Sequence, residues 1–220
     1  SEAAGSDLSP EVTMPAGIIR TRDGRTLWSR AADDERAMAS TTKIMTALVV
    51  LDHAEPEEIV TVSARAAGVG EAEVDLVPGQ KLSVGELLEA TLVRSANDAA
   101  FALAEHVGGS VEGFVDMMNQ KAADLGLVHS SFANPHGLDT PGHYTSAADL
   151  ATLAGIAMAD SRFAEIVSQE SVSVTGANGL KKYENSNKLL RTYEGADGVK
   201  TGWTNKAGYC VVASAVRDEI

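Results

Sequence analysis

The spacing of apolar residues changes twice along the chain. Ala16-Gly17-Ile18-Ile19-Arg20 and Thr26-Leu27-Trp28-Ser29 read as short strands on either side of the turn Asp23-Gly24. From Ser40 the pattern becomes helical, through Ile44, Leu48 and Leu51, with apolar positions wrapping most of the way round. A helix of that kind is predicted to lie buried at the centre of the molecule.

The middle of the chain keeps the helical period. Ser83-Val84-Gly85-Glu86 is a capping-box signature, followed by Leu87, Leu88 and Leu92. A further helix is predicted from Asn97 to Val107, stopped by Gly108-Gly109. Val111, Phe114, Met118, Ala122 and Leu125 hold the same spacing up to Gly126, and Ser146 is placed to cap a helix through Leu153 and Met158. The tail reverts to alternation, at Val172 and Val174 and in the run Tyr209 to Val216. Strands, helices, then strands predict an α+β fold: an antiparallel sheet flanked by helices, with a helical lobe inserted between its strands. Residues 1–14 read as a flexible lead-in and 15–220 as one domain. Its sheet portions fall at about 15–60 and about 170–220, and an all-helical lobe at about 61–169.

Composition narrows the classes. Hydrophobic residues make up 44% and charged residues 22%, as in an ordinary globular protein. The net charge of −13, with no basic patch, argues against nucleic acid. Cys210 is the only cysteine, which excludes an intramolecular disulfide, and its apolar setting predicts a small buried hydrophobe. No apolar run approaches the roughly 18 residues of a membrane span. The start, Ser1-Glu2-Ala3-Ala4-Gly5-Ser6-Asp7, has no signal-peptide pattern, so composition leaves a cytosolic protein and one with its export signal removed equally open.

Three short elements carry chemistry. In Ser40-Thr41-Thr42-Lys43 the three-residue spacing places a hydroxyl and an amine on one helical face. A serine becomes a nucleophile when a base takes its proton, and a lysine can be that base if burial or a nearby cation lowers its pKa. Ser95-Ala96-Asn97 sits between two helices, where the Ser and Asn serve either as proton relay and amide anchor or as ordinary helix caps. Lys200-Thr201-Gly202 precedes the last strand-like run, offering a cation, a hydroxyl and a close backbone approach; alone it reads as a turn before a strand. Together and in this order, such elements form the signature of penicillin-binding proteins and class A β-lactamases. No paired Cys/His spacing or H-E-x-x-H supports a metal, and no cofactor is expected. His136, His143 and Asp98 read as structural rather than catalytic, since no G-x-S-x-G elbow is present.

Within that superfamily the chain resembles the low-molecular-weight D-alanyl-D-alanine carboxypeptidases of the serine peptidase S11 family. The resemblance runs through Met38 to Thr46, Ser95 to Ala100, Asn134-Pro135-His136-Gly137-Leu138-Asp139, His143-Tyr144, Asn185 to Leu190 and Gly198 to Thr204. It implies a β-lactamase/transpeptidase-like fold and a two-stage reaction. Ser40 attacks the bond between two terminal D-alanines of a peptidoglycan stem peptide, Lys43 takes its proton, Ser95 relays a proton to the leaving D-alanine, and water releases the acyl group. Asn97 is expected to hold the substrate amide, the backbone N–H groups of Ser40 and Trp203 the oxyanion, and Lys200, Thr201 and Gly202 the substrate near its carboxylate. Lys200 and Thr201 are also expected to help keep Lys43 neutral. β-Lactams would acylate Ser40. The substrate implies an exported protein working outside the cytoplasmic membrane, anchored only through segments not in this sequence.

The resemblance also implies two further strands, a terminal helix and a carboxylate-binding arginine beyond Ile220, so the encoded sheet is expected to be incomplete and the isolated chain to be unstable or to borrow strands from a neighbour. Two rivals remain at this stage. A class A β-lactamase needs a loop glutamate for deacylation, and Ser130 to Pro135 contains none; the nearest downstream, Glu165, falls in a predicted helix. A penicillin-binding sensor would keep the same residues without turnover.

Overall fold

The protein is described by a computed structural model covering residues 11–217. The lead-in expected over 1–14 therefore lies outside the described residues as far as residue 10, as do the last three residues. The predicted central helix is present as α1 (Lys43–His53), entered through a 3-10 turn, Ala39–Thr42, that holds Ser40. Every residue from Lys43 to Leu51 is buried, because neighbours surround the helix on all sides. These include α3 (Asn97–Gly108), α4 (Val111–Asp124) and α5 (Ala147–Ala159).

Local chemistry sets the helix starts. Ser83 and Glu86 form the reciprocal capping box at the head of α2 (Val84–Glu89), Ser110 accepts from Gly113 N at α4, and Ser146 accepts from Asp149 N at α5. α2 does not end simply. It runs into a π-helical turn, Ala90–Arg94, closed by Ser95 in the left-handed conformation at φ 69°. That extra-wide turn sets where α3 begins. Neither Ser95 nor Asn97 caps α3: Ala96 occupies the cap position, with no side-chain bond.

Four two-stranded antiparallel ladders form among the described residues, and none shares a strand with another. β1 (Gly17–Arg20) pairs with β2 (Thr26–Arg30), and β1 lies against α5. A short hairpin, β3 (Ile59–Thr61) with β4 (Lys81–Ser83), interrupts the stretch expected to be helical throughout. Its three-residue strands bury only Val60 and Leu82, too little alternation to register in the sequence. α6 (Ser161–Ser168) follows α5 and buries Phe163 and Val167. β5 (Ser171–Gly176) pairs with an unanticipated β6 (Gly179–Glu184), a mostly exposed strand whose Lys181 and Lys182 hide it from an apolar pattern.

The strand-like tail is longer than predicted. After the short helix α7 (Leu189–Thr192), β7 spans Ala196–Thr204 and pairs with β8 (Gly208–Ala215). Lys200-Thr201-Gly202 therefore lies within a nine-residue strand, not at the entry to one. Lys200 and Gly202 break the apolar alternation because this part of β7 rests on the Ala39–Thr42 turn.

The loop Asn134–Thr140 braces that turn. Asn134 Oδ1 accepts from Gly137 N at 2.7 Å, and its amide nitrogen donates to Leu138 O and Thr140 Oγ1, each at 2.9 Å. Gly137 has φ +97°, and a Cβ there would stand 2.0 Å from Ala39 O. Gly137→Ala is thus expected to lower unfolding free energy by roughly 2–4 kcal/mol, combining backbone strain and a clash. Gly142→Ala, at φ +76° with open space around it, is the control; strain alone there costs about 1 kcal/mol. Urea denaturation of the two variants checks the difference.

Candidate active site

Lys43 carries the geometry of the site. It is 0% exposed, and its Nζ lies 2.9 Å from Ser40 Oγ, 2.8 Å from Asn97 Oδ1 and 2.6 Å from the His136 carbonyl oxygen. Asn97 Nδ2 donates to Gly70 O at 3.1 Å, which turns Oδ1 toward the lysine. Burial, and then the charge of Lys200, hold the Lys43 pKa well below the ordinary lysine value, against a smaller opposing pull from Asp98. A neutral amine has two N–H groups and one lone pair. Asn97 Oδ1 and His136 O can only accept, so they take the N–H groups. The lone pair is left facing the Ser40 hydroxyl, the arrangement a general base requires.

Lys200, 1% exposed on β7, donates from Nζ to the Thr201 carbonyl at 2.9 Å. Burial first, then the nearby Arg94 charge, bring its pKa down to about 7. The Thr201 hydroxyl is paired with Ser186 Oγ at 2.7 Å. Gly202 allows a close backbone approach. A Cβ at this position would lie 2.7 Å from Ser40 N, so the strand backbone runs directly over the nucleophile's amide. Trp203 follows at the rim, more than half exposed.

Of the eight residues expected from the sequence, Ser40, Ser95, Thr201, Gly202 and Trp203 line one cavity of about 450 Å3, while Lys43, Asn97 and Lys200 are buried. Cys210, expected to be enclosed, is only half-buried and lines the same cavity beside Tyr209 and Val211; burial still pushes its thiol pKa up. Among the described residues no cluster of His, Cys, Asp or Glu could hold a metal.

Several supports were not legible from the motifs. The His136 carbonyl is a backbone group, which no side-chain motif announces. Asp98 makes no hydrogen bond to the reacting groups; it accepts from Val74 N, Leu76 N and Ala99 N and so pins the loop that runs past the cavity at Ala72. Asp139 accepts from Thr204 Oγ1 at 2.8 Å and Lys206 N at 3.2 Å, tying the Asn134–Thr140 loop to the β7–β8 turn. Arg94 and Ser186 also reach the cavity.

The family described as D-alanyl-D-alanine carboxypeptidase matches residues 10–220. D-alanyl-D-alanine carboxypeptidase DacF of Bacillus subtilis is 39% identical over 225 residues, 96% of this chain and 55% of its own length. DacC of Escherichia coli is 34% identical over 224 residues, 96% of this chain and 56% of its own. The chain thus spans a little over half the length of these curated relatives. Among solved structures, DacD of Francisella tularensis superposes with a TM-score of 0.92 at 28% identity, covering 99% of this chain and 66% of that one. The D-alanyl-D-alanine carboxypeptidase of Mycobacterium tuberculosis gives 0.92 at 34% identity, covering 99% and 83%.

The histidines yield a stability prediction. His143 Nδ1 accepts from Ala133 N at 3.0 Å, so Nε2 carries the proton and donates to Thr42 Oγ1 at 2.8 Å. Burial chiefly lowers the His143 pKa from 6.5 to about 4, with Lys43 adding to it and Asp139 opposing. The folded value lies below the unfolded one, so the unfolded chain binds more protons between pH 6.5 and about 4, and stability falls as pH drops through that window. His143 should account for a loss on the order of 3 kcal/mol by pH 4. The check is the pH slope of unfolding free energy, which His143→Gln should flatten.

Proposed function

Because the chain belongs to the D-alanyl-D-alanine carboxypeptidase family, we propose that it removes the terminal D-alanine from peptidoglycan stem peptides through an acyl-enzyme on Ser40. Its α+β fold is the one shared by penicillin-binding proteins and β-lactamases. The observation that carries the reading is the buried Lys43 Nζ, 2.9 Å from Ser40 Oγ, with the Asn97 and His136 oxygens placed to take the N–H groups of a neutral amine.

In this reading Lys43 accepts the Ser40 proton as Oγ attacks the carbonyl between the two D-alanines. Negative charge on that oxygen is met by the N–H groups of Ser40 and Trp203, a donor of this kind contributing roughly 3–4 kcal/mol to transition-state stability in other serine enzymes. Ser95 passes the proton from Lys43 to the leaving amine as the C–N bond breaks, which returns Lys43 to its neutral form. Neutral Lys43 then takes a proton from the water that attacks the acyl-enzyme and returns it to Ser40 Oγ as the C–O bond of the acyl-enzyme breaks. Asn97 holds the substrate amide while Lys200, Thr201 and Gly202 seat the rest of the peptide along β7. β-Lactams acylate Ser40 by the same route. The substrate lies outside the cytoplasmic membrane, so the protein works there; no described helix is long and apolar enough to cross a membrane.

The β-lactamase alternative loses support from the cavity wall. None of the residues lining the Ser40 cavity is an aspartate or glutamate, and Glu165 lines a separate one with Arg22 and Asp197. Free D-alanine is therefore expected from diacetyl-Lys-D-Ala-D-Ala, with fluorescent penicillin labelling Ser40 and turning over slowly. Ser40→Ala should abolish release and labelling, and Lys43→Ala should slow acylation by roughly 100- to 10,000-fold. Stable labelling without D-alanine release would make the chain a sensor, and rapid multiple-turnover penicillin hydrolysis would make it a β-lactamase.

A further inference from the structure

The oxygen that meets Lys43 Nζ at 2.6 Å belongs to the peptide group between His136 and Gly137, and a glycine backbone turns more freely than any other. Two restraints oppose that turning. On the Gly137 side, Asn134 Oδ1 accepts from Gly137 N at 2.7 Å. On the His136 side, the imidazole lies nearly parallel to the Phe101 ring, at an interplanar angle of 11° with centroids 6.5 Å apart, an offset stack. Burial first, then the charges of Lys43 and His143, bring the His136 pKa down to about 3, so the stacked ring is neutral. Arg65 also lies over the Phe101 ring, with its guanidinium carbon 5.3 Å from the centroid and a nitrogen 3.8 Å from Glu105 Oε1.

Asn97, Phe101 and Glu105 follow at four-residue intervals on α3, so they form one stripe along that helix. Asn97 gives the Lys43 amine its first oxygen directly, at 2.8 Å. We infer that Phe101 supplies the second indirectly: it is a positioning residue that holds the His136 ring and so aims the His136 carbonyl at Lys43. Both oxygens around the amine then take their places from a single helix, and Glu105, through Arg65, steadies the stacked ring from the surface. The inference rests on the proposed role of Lys43 as the base. Phe101 packs against the hydrophobic core and does not line the Ser40 cavity, so its effect on the reaction passes through His136. A ring is required rather than bulk, because an aliphatic side chain has no flat face to fix the imidazole plane.

The test is Ser40 acylation by a fluorescent penicillin, resolved into prior binding and the acylation step by varying its concentration. Phe101→Leu keeps apolar bulk without the ring, and it is expected to slow the acylation step roughly 10- to 100-fold with binding unchanged. Phe101→Tyr keeps the ring and should recover most of that rate. Phe114→Leu, at a fully buried position on α4, is the control: it should lower stability to urea and leave the acylation step as it is. An unchanged acylation step in Phe101→Leu would overturn the assignment. So would weaker binding in place of a slower step, a Phe101→Tyr as slow as Phe101→Leu, or an equal slowing in Phe114→Leu. Should Phe101→Leu lose its fold, Phe101→Met, which fills the space flexibly and without a ring, is read in the same way. D-Alanine release by the wild-type chain separates the two readings: labelling without release removes the proposed hydrolysis and leaves the positioning result standing, whereas a wild-type chain that takes no label overturns both.

Discussion

Enclosing the Lys43 amine strips away the water that would stabilise a proton on it, and the Asn97 and His136 oxygens then decide which way its lone pair points. Burying a charged ammonium at this position would cost several kcal/mol, whereas a neutral amine needs only its two N–H groups satisfied. Most of the surrounding structure serves that condition. α1 is apolar on all sides because it must bury its first residue, and the loop carrying His136 must bring a backbone oxygen inside hydrogen-bonding distance. The lowered pKa of this lysine is a property of the packing rather than of the side chain.

Three segments far apart in sequence hold the arrangement together. Asp98 fixes the Val74–Leu76 strip to the start of α3, Asn134 folds the loop that delivers His136, and Asp139 ties that loop to the β7–β8 turn. β7 in turn lies over the Ser40 amide, separated from it only by the missing side chain of Gly202. None of these links is an ion pair.

The sequence made the chemistry legible before the architecture. Ser40, Lys43, Ser95, Asn97 and Lys200-Thr201-Gly202 stood out because their residue types and order admit few uses, and α1 because an all-round apolar helix has to be central. β6 did not stand out, since an exposed strand with Lys181 and Lys182 has no apolar face to reveal it. β7 was read too short because Lys200 and Gly202, where the strand rests on the Ala39–Thr42 turn, interrupt its apolar alternation. The His136 carbonyl and the backbone donors held by Asp98 left no trace, because main-chain atoms are common to every residue. Arg94 adjoins a recognised motif, yet adjacency alone does not say which side of the turn it faces.

That turn has a consequence of its own. A π turn advances its side chains by less than 90° per residue where an α-helix advances 100°, so it behaves as an α-helix into which one residue has been inserted. Arg94 and Ser95 owe their direction to this phase offset, while Asn97 belongs to the next helix and has a fresh start. Loss of a single residue between Ala90 and Arg94 would restore ordinary helical phase and swing both groups away from Ser40, without altering any of them chemically. Related chains could therefore lose this pocket through a change in length where every functional residue is kept, a route that comparison of motifs alone would overlook.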